Sequence, residues 1–336
     1  MNMLVFSFCM TLLTSGDSIT RDSTSRDSTS RDSTFSPLPP THMDFIFSSV
    51  DAGQSWQNIG TGLPGKLIPI SIFATEGRYY LGTTDGLYKG TALIPLPKWE
   101  KTLSQQREIT GIYPGKEGPY VVSRWNGFYQ YYPAVGLMAS LHDQLSDKTV
   151  NTALETSKGI IYAGCETGIY KSGDKGKSWQ QVFSKVSISR LVELDNVIMA
   201  CGEGNLWRST DGGAHWDHIL LGAYPHVFIE RLGDDLVTIL EGQNTLGIRM
   251  PNMVYLSSDK GATWKELSNL PLSLTSIYEM CQTNQYLFAG SNDGIFRSSD
   301  RGVTWESVKY PPAGIAGFYK MFVADQTLFA LFVEGC

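Results

Sequence analysis

The residues from Arg297 to Trp305 read RSSDRGVTW, and closely similar phrases recur along the chain. The other copies are SSVDAGQSW at 48–56, KSGDKGKSW at 171–179, RSTDGGAHW at 208–216 and LSSDKGATW at 256–264. Each copy fits the pattern Ser-x-Asp-x-Gly-x-(Ser, Thr or His)-Trp. Repetition on this scale predicts a repeat architecture in which each phrase marks the same point of one unit.

The phrase has the chemistry of a tight turn. An Asp side chain accepts hydrogen bonds from nearby backbone N–H groups, and the Gly two residues later can adopt a positive φ. The Trp that ends the phrase supplies a large apolar surface for burial. A catalytic Asp in every copy is the alternative, but five identical active sites on one chain would serve no purpose. We therefore predict structural hairpin turns at Asp51, Asp174, Asp211, Asp259 and Asp300, anchored by Trp56, Trp179, Trp216, Trp264 and Trp305.

The repeats are about 40 residues long when measured from one Trp to the next, and each holds four short β segments separated by turn residues. Two repeats have lost most of the phrase. Trp99 keeps only the aromatic residue, and the segment YVVSRWNGFYQYY at 120–132 supplies the strands of another repeat. Residues 43–336 therefore correspond to seven repeats of about 42 residues.

The two ends of this region are complementary. The segment DFIFS at 44–48 matches third strands such as GIFRS at 294–298, whereas residues 320–333 match first and second strands. Pairing the two part-repeats would hide both sheet edges. We predict an all-β fold: a single seven-bladed β-propeller of four-stranded antiparallel blades, closed by its N- and C-terminal strands together.

The phrase resembles the Asp-box, or BNR repeat, of sialidases, sortilin-type receptor domains, some endoglucanases and the photosystem II assembly factors. The resemblance extends from Phe45 to the C-terminus. It implies that the boxes lie at the turns between third and fourth strands, and that ligands bind at the opposite face, which borders the central channel. There the turns between second and third strands should meet.

Those second-to-third turns mix carboxylates, amides, two arginines and a tryptophan, which suit recognition of a polar peptide or a glycan. The Asp-Gly and Asn-Gly pairs among them are also simple turn formers. Arg124 with Trp125 is a costly pair to expose, and the long segment 241–253 is a second candidate for specificity. The predicted binding residues are Arg124, Trp125, Glu166, Glu203, Asn205, Arg249 and Asp293.

Two enzymatic alternatives remain open. Sialidases need three arginines, a Tyr assisted by a Glu, and an Asp, and they form six blades. Here Arg249-Met250-Pro251 is the only segment that resembles their first motif, and it lies in the wrong repeat. Endoglucanases of this family form a cleft from two propellers, although Asp85 and Glu203 could still form a carboxylate pair. We favour a non-catalytic scaffold that binds a protein segment or a glycan, with an exo-α-sialidase-like or other glycoside hydrolase as the alternative.

The composition limits the classes of partner that we expect. The net charge of −6 argues against nucleic acid, and the 34 glycines fit a fold with many tight turns. No metal or cofactor motif is present, and we expect a monomer. The cysteines lack paired spacing, and we predict that Cys165 and Cys201 are buried free thiols.

The N-terminal region differs from the rest. Residues 1–16 have the apolar length of a signal peptide but no preceding Lys or Arg. This favours export to the periplasm or the extracellular space, with a cytoplasmic protein as the alternative. Residues 17–42 contain RDSTS repeats and a Pro-rich stretch, which predict a disordered linker. Beyond the first dozen residues no apolar run approaches the length of about 20 needed to cross a membrane.

Overall fold

A computed structural model describes residues 46–64, 67–75, 77–91, 97–102, 108–124, 127–184, 186–219, 224–243, 249–268, 270, 277–291, 293–308, 317–324 and 326–334. The signal-peptide and linker predictions for residues 1–42 lie outside these ranges, as do Cys9 and Cys336. They stay predictions. Within the described ranges, no helix is long and apolar enough to cross a membrane.

The described strands form seven four-stranded antiparallel sheets, which are the predicted blades. Blade 1 contains β3 (Pro69–Thr75), β4 (Arg78–Thr83), β5 (Gly86–Thr91) and β6 (Lys98–Lys101). Blade 2 contains β7 (Ile109–Tyr113), β8 (Tyr120–Ser123), β9 (Gly127–Tyr132) and β10 (Leu137–Ser140). A short 3-10 helix at Asp143–Leu145 leads to blade 3, which contains β11 (Val150–Glu155), β12 (Ile161–Cys165), β13 (Gly168–Ser172) and β14 (Gln180–Phe183).

The later blades repeat this order. Blade 4 contains β15 (Arg190–Leu194), β16 (Val197–Gly202), β17 (Asn205–Ser209) and β18 (Asp217–Ile219). Blade 5 contains β19 (His226–Leu232), β20 (Asp235–Gln243), β21 (Arg249–Ser257) and β22 (Lys265–Glu266). Blade 6 contains β23 (Ile277–Gln282), β24 (Leu287–Ser291), β25 (Gly294–Ser298) and β26 (Glu306–Val308).

Blade 7 closes the ring as the sequence predicts. It takes β27 (Gly317–Ala324) and β28 (Thr327–Glu334) from the C-terminal end, and β1 (Ile46–Ser49) and β2 (Gln57–Asn58) from the N-terminal end. Phe47 lies opposite Ala330 in an antiparallel register. The first strand of each blade contacts the first strand of the next, and β27 contacts β3. The prediction of seven blades is confirmed, and the six-bladed ring that would have favoured a sialidase is not formed.

Apolar second strands make the core between blades. IYAGC at 161–165 and VIMACG at 197–202 are buried at every position, because each blade is covered by a neighbour on both faces. Cys165, Cys201 and Cys281 are buried free thiols, which confirms the prediction for the first two. Burial raises the pKa of the Cys165 thiol to about 12.

Each Asp-box forms one compact turn with the same hydrogen bonds. In the box of blade 6, Gly302 N donates to Ser298 Oγ at 2.8 Å, and Ser298 Oγ donates to Asp300 Oδ1 at 2.7 Å. Thr304 donates to Asp300 through its N–H at 2.8 Å and its hydroxyl at 2.6 Å. The same pattern recurs at Asp51, Asp174, Asp211 and Asp259. The boxes are therefore structural turns at the predicted places.

The boxes of blades 4, 5 and 7 also join the preceding blade through a contact that we call the latch. Lys171 Nζ of blade 3 donates to Gly212 O of blade 4 at 2.9 Å. Arg208 of blade 4 donates to Lys260 O of blade 5 at 2.8 Å, and Arg297 of blade 6 to Ala52 O of blade 7 at 2.7 Å. Each donor directly precedes its own box Ser. Each acceptor is the residue between the box Asp and Gly, whose positive φ turns its carbonyl toward the preceding blade.

Candidate functional site

The seven first strands surround a central channel, and one residue of each occupies the same register position. Arg190 lies opposite Cys201, Glu279 opposite Gly290, and Lys320 opposite Leu331. In each of these blades, the paired residue of the second strand lies in turn opposite a residue of the third strand that is three positions before the box Ser. In blades without a box, the third-strand residue is the one at the equivalent position. We call this set the channel row: Ser71, Gly111, Thr152, Arg190, Phe228, Glu279 and Lys320.

The channel row is uneven. Blades 1 to 3 contribute only small side chains, whereas blades 4 to 7 contribute two cations, a carboxylate and an aromatic ring. A cavity of about 500 Å³ lies along the first strands and includes Ser71 and Gly111 in its wall. It faces Arg190, Glu279 and Lys320. Small residues on one side therefore leave space against a charged wall on the other.

Arg190 connects two carboxylates in this wall. Its guanidinium pairs with Glu230 of blade 5, and it lies 3.8 Å from Glu279 of blade 6. The Glu279 side chain is 15% exposed, and this burial raises the pKa of its carboxyl group, against the opposing effect of Arg190 and Lys320. The cluster has two cations and two carboxylates, so it offers donors and acceptors in one place.

Further polar groups line the same cavity. Lys320 Nζ donates to Ile70 O at 3.4 Å, a long hydrogen bond, and its charge also acts on the Glu279 carboxyl group. Tyr113 donates its hydroxyl to Asn151 O at 2.8 Å, and burial raises the pKa of this Tyr. Ser71 Oγ is buried and has no hydrogen-bond partner among the described residues. An added ligand could satisfy it.

Those predicted binding residues that the structure describes lie elsewhere, on the rim at the end opposite the boxes. Arg124 forms an ion pair with Glu108 at 3.1 Å. Glu203 Oε1 accepts a hydrogen bond from Ser187 N at 3.2 Å, and its backbone carbonyl accepts one from Asn205 at 2.7 Å. These contacts tie rim turns to the connections between blades, and these side chains are outside the cavity wall.

The remaining rim predictions have different outcomes. Glu166 and Asp293 are exposed in the β12–β13 and β24–β25 turns, where their backbone N–H groups donate to Thr149 O and Ser291 Oγ. Trp125 lies outside the described residues, and Arg249 is described only as the first residue of β21. The long segment 241–253 is largely the extended β20–β21 hairpin. A binding role for this rim stays a prediction.

Asp85 and Glu203, the carboxylate pair considered for an endoglucanase, both have hydrogen-bond partners among the described residues. Asp85 accepts hydrogen bonds from Lys101 at 2.8 Å and from Tyr88 at 2.9 Å, and these partners lower its pKa. It belongs to blade 1, whereas Glu203 belongs to blade 4. Among described side chains the cavity wall includes two arginines, Arg190 and Arg231, and the latter donates to backbone carbonyls.

Comparison with known families agrees with the turn geometry. Residues 295–308, which span β25, its box and β26, match the family model of the BNR-Asp box repeat. The chain is a seven-bladed β-propeller with turns of the Asp-box type. No curated protein matches the sequence.

Solved structures share the fold of this Asp-box propeller. A structure described as YCF48 bound to D1 peptide aligns with a TM-score of 0.61 at 14% identity, over 81% of this chain and 95% of that one. An ancestral GH74 enzyme aligns with a TM-score of 0.57 at 14% identity, over 80% of this chain and 40% of that one. A GH74 xyloglucanase from Xanthomonas campestris aligns with a TM-score of 0.51 at 15% identity, over 72% and 46%. The propeller thus spans less than half of either GH74 protein, and identities this low show the fold alone.

Sequence reasoning missed the channel cluster. Arg190, Glu230, Glu279 and Lys320 are charged residues within first strands that are otherwise mostly apolar. Aligning the repeats backward from each box would have placed Arg190, Glu279 and Lys320 at one level. The rim turns attracted attention instead, because turn residues carry an obvious local signal.

Proposed function

We propose that this propeller is a non-catalytic binding protein whose central channel receives a segment of a partner protein. The uneven channel row carries the proposal. Small residues in blades 1 to 3 leave a cavity of about 500 Å³ against the charged wall of blades 4 to 7. A rigid concave site with a few convergent polar groups is the usual form of a ligand pocket.

The chemistry of the wall suits a peptide. Arg190 and Lys320 can donate to carboxylates and backbone carbonyls, whereas Glu230 and Glu279 can accept from cations and backbone N–H groups. Phe228, which is 44% exposed, adds an apolar surface at the same level. An extended segment with acidic, basic and apolar side chains would find a partner for each.

The comparisons support a protein ligand. The structure described as YCF48 bound to D1 peptide shares this ring over nearly its whole length. A peptide on another propeller of the same fold makes a peptide the first ligand class to test here. We further propose that the rim around Arg124 and Glu203 extends the contact beyond the channel, with a glycan as the second ligand class.

The test is a selection of binding peptides from a displayed random library, alongside a glycan array, with the full chain as bait. Affinities of the selected ligands are then measured for wild type and for Lys320→Met, which keeps the aliphatic stem and removes the charge. We expect the variant to lose about tenfold in affinity, because an available cation in a confined channel is replaced by an apolar group. Lys158→Met changes an exposed lysine in the β11–β12 turn and serves as the control.

Two results would contradict the proposal. Selected ligands that bind Lys320→Met and wild type equally would place recognition away from the channel. A selection that yields no ligand of either class would remove the argument for a binding role. Near-ultraviolet circular dichroism of both variants verifies that the fold is intact.

A glycoside hydrolase is the second candidate, because two carboxylates share the channel and the pKa of Glu279 is raised by burial. Two carboxyl groups in one site, one of them with a raised pKa, are typical of glycoside hydrolases. Incubation with a fluorogenic sialoside and a glucan panel tests it. Turnover by wild type that Glu279→Gln abolishes would replace the binding proposal, whereas no turnover would leave the channel to ligand binding.

A further inference from the structure

A second polar cavity lies on the outer side of the ring, between blades 1 and 2. Its volume is about 310 Å³, and its wall combines three cations with two tyrosines. The full wall consists of Arg78, Tyr80, Lys89, Gly90, Thr91, Lys98, Glu100, Tyr131 and Pro133. It is separate from the channel and from every rim turn considered above.

The strand register identifies this position as a latch without its acceptor. Lys89 lies opposite Tyr80 in blade 1, just as Lys171 lies opposite Tyr162 in blade 3. In blade 3, Lys171 and Tyr162 both donate to Gly212 O, at 2.9 and 2.8 Å. Lys89 is therefore the counterpart of a cation that elsewhere holds the box turn of the next blade.

Blade 2 offers no such turn. Residues 133–136 between β9 and β10 read PAVG and lack the Ser-x-Asp-x-Gly sequence. Within the described part of the chain, Lys89 has no hydrogen bond to this turn. Its ammonium lies 3.5 Å from the carboxylate of Glu100 instead. The space that a box fills between blades 3 and 4 is here the cavity.

Two more cations, Arg78 and Lys98, lie around the position that a box turn occupies between blades 3 and 4. Arg78, Thr91 and Lys98 form one row across blade 1. The adjacent row, two residues along each strand, holds Lys89 and Glu100. Residues two apart on a strand share a face, so the three cations converge on the face toward blade 2. The local charge is positive although the whole chain is acidic, which indicates an anionic occupant.

We infer that this cavity is an oxyanion-binding site in which Lys89, Arg78 and Lys98 hold the acceptor oxygens of a sulfate, a phosphate or an acidic protein side chain. The oxyanion takes the position of the box carbonyl in the other blades. Lys89 supplies the donor that the latch uses elsewhere, and Arg78 can bind two oxygens at once. The tyrosines close the floor of the site.

The test is isothermal titration calorimetry of the full chain with inorganic sulfate and, separately, with hexaglutamate, at low and at physiological ionic strength. We expect one saturable site, with a dissociation constant near or below about 1 mM for the better probe at physiological salt. Lys89→Met and Arg78→Gln should each weaken it by about tenfold. Binding of sulfate alone identifies a small-ion site, and tighter binding of hexaglutamate identifies an acidic protein segment; each agrees with the inference.

Control variants separate this site from adventitious charge effects and from the channel. Lys177→Met alters an exposed lysine of the blade 3 box and should leave the titration unchanged, as should Lys320→Met in the channel. Binding that survives Lys89→Met together with Arg78→Gln, or that shows several equivalent sites, would reveal an adventitious ion only. Absence of saturable binding at physiological salt would also overturn the inference, whatever the outcome of the peptide selection.

Discussion

Blades 3 to 7 carry complete Asp-boxes, whereas blades 1 and 2 do not, and both groups form four-stranded sheets of the same topology. Trp99 of blade 1 still donates its indole N–H to Ile59 O at 2.7 Å, much as Trp179 of blade 3 donates to Leu141 O at 3.1 Å. The comparison teaches that the aromatic anchor holds a blade in the ring, while the box adds a rigid turn and a latch. Where blade 2 lacks the box, a cavity lies at its boundary with blade 1.

The largest expected effect comes from removing an anchor in either group. Trp305→Ala in boxed blade 6 and Trp99→Ala in box-less blade 1 should each reduce the free energy of unfolding by about 3 kcal/mol, because a large half-buried ring is replaced by a methyl group. Urea denaturation followed by circular dichroism measures both. A much smaller loss for Trp99→Ala would mean that blade 1 is held by contacts other than its aromatic anchor.

The next effect belongs to the box alone. Ser298→Ala removes a buried hydroxyl that accepts from Gly302 N and donates to Asp300, and we expect a loss of about 1–3 kcal/mol because the buried N–H is left unsatisfied. Ser299→Ala alters the exposed neighbour in the same turn and should change stability by less than about 0.5 kcal/mol. Equal losses for the two serines would remove the buried hydroxyl from the account of the turn.

How much of the structure can be predicted from the sequence depends on whether the interacting residues are close together or far apart in the chain. Turn chemistry is local, so the boxes, the blade number and the closure by β1 and β28 follow from residue spacing. The channel row is not local: Arg190 and Glu279 are far apart in sequence, and only the closed ring brings their side chains to 3.8 Å. The latch is equally hidden, because Lys171 and Gly212 belong to different repeats.

A smaller effect tests the latch itself. Lys171→Met removes the donor to Gly212 O and should cost about 1 kcal/mol, a typical value for one hydrogen bond. Lys89→Met removes its counterpart in blade 1, which lacks the box carbonyl, and should leave the free energy of unfolding within about 0.5 kcal/mol of wild type. Comparable losses in both variants would show that Lys89 contributes to stability by another contact, and would weaken the comparison between boxed and box-less blades.

The smallest expected effect is the pH dependence contributed by a single box. Hydrogen bonds from Thr304 and Ser298 lower the pKa of Asp300 to about 2, and the same chemistry lowers the pKa of Asp51, Asp174 and Asp259 to about 2. A lowered folded-state pKa stabilises the fold at pH values above the ordinary carboxyl range, and this stabilisation is lost as the pH falls from about 4 to about 2. Asp300→Asn should therefore have a lower Tm than wild type at pH 6, and this difference should shrink toward pH 2.

The salt dependence of the Tm should distinguish the Asp of a box from a carboxylate in a blade without a box. The partners of Asp300 are neutral hydroxyl and N–H groups, so the Tm difference for Asp300→Asn should persist in about 1 M sodium chloride. Asp85 of blade 1 has its pKa lowered first by Lys101, a cation that salt screens, so the Tm difference for Asp85→Asn should decrease under the same conditions. Differential scanning calorimetry at both salt concentrations measures the two variants. Equal salt sensitivity of the two variants would imply that the box Asp stabilises the fold through its charge rather than through its hydrogen bonds. The ion pair of Asp85 in blade 1 would then have the same stabilising role as the box.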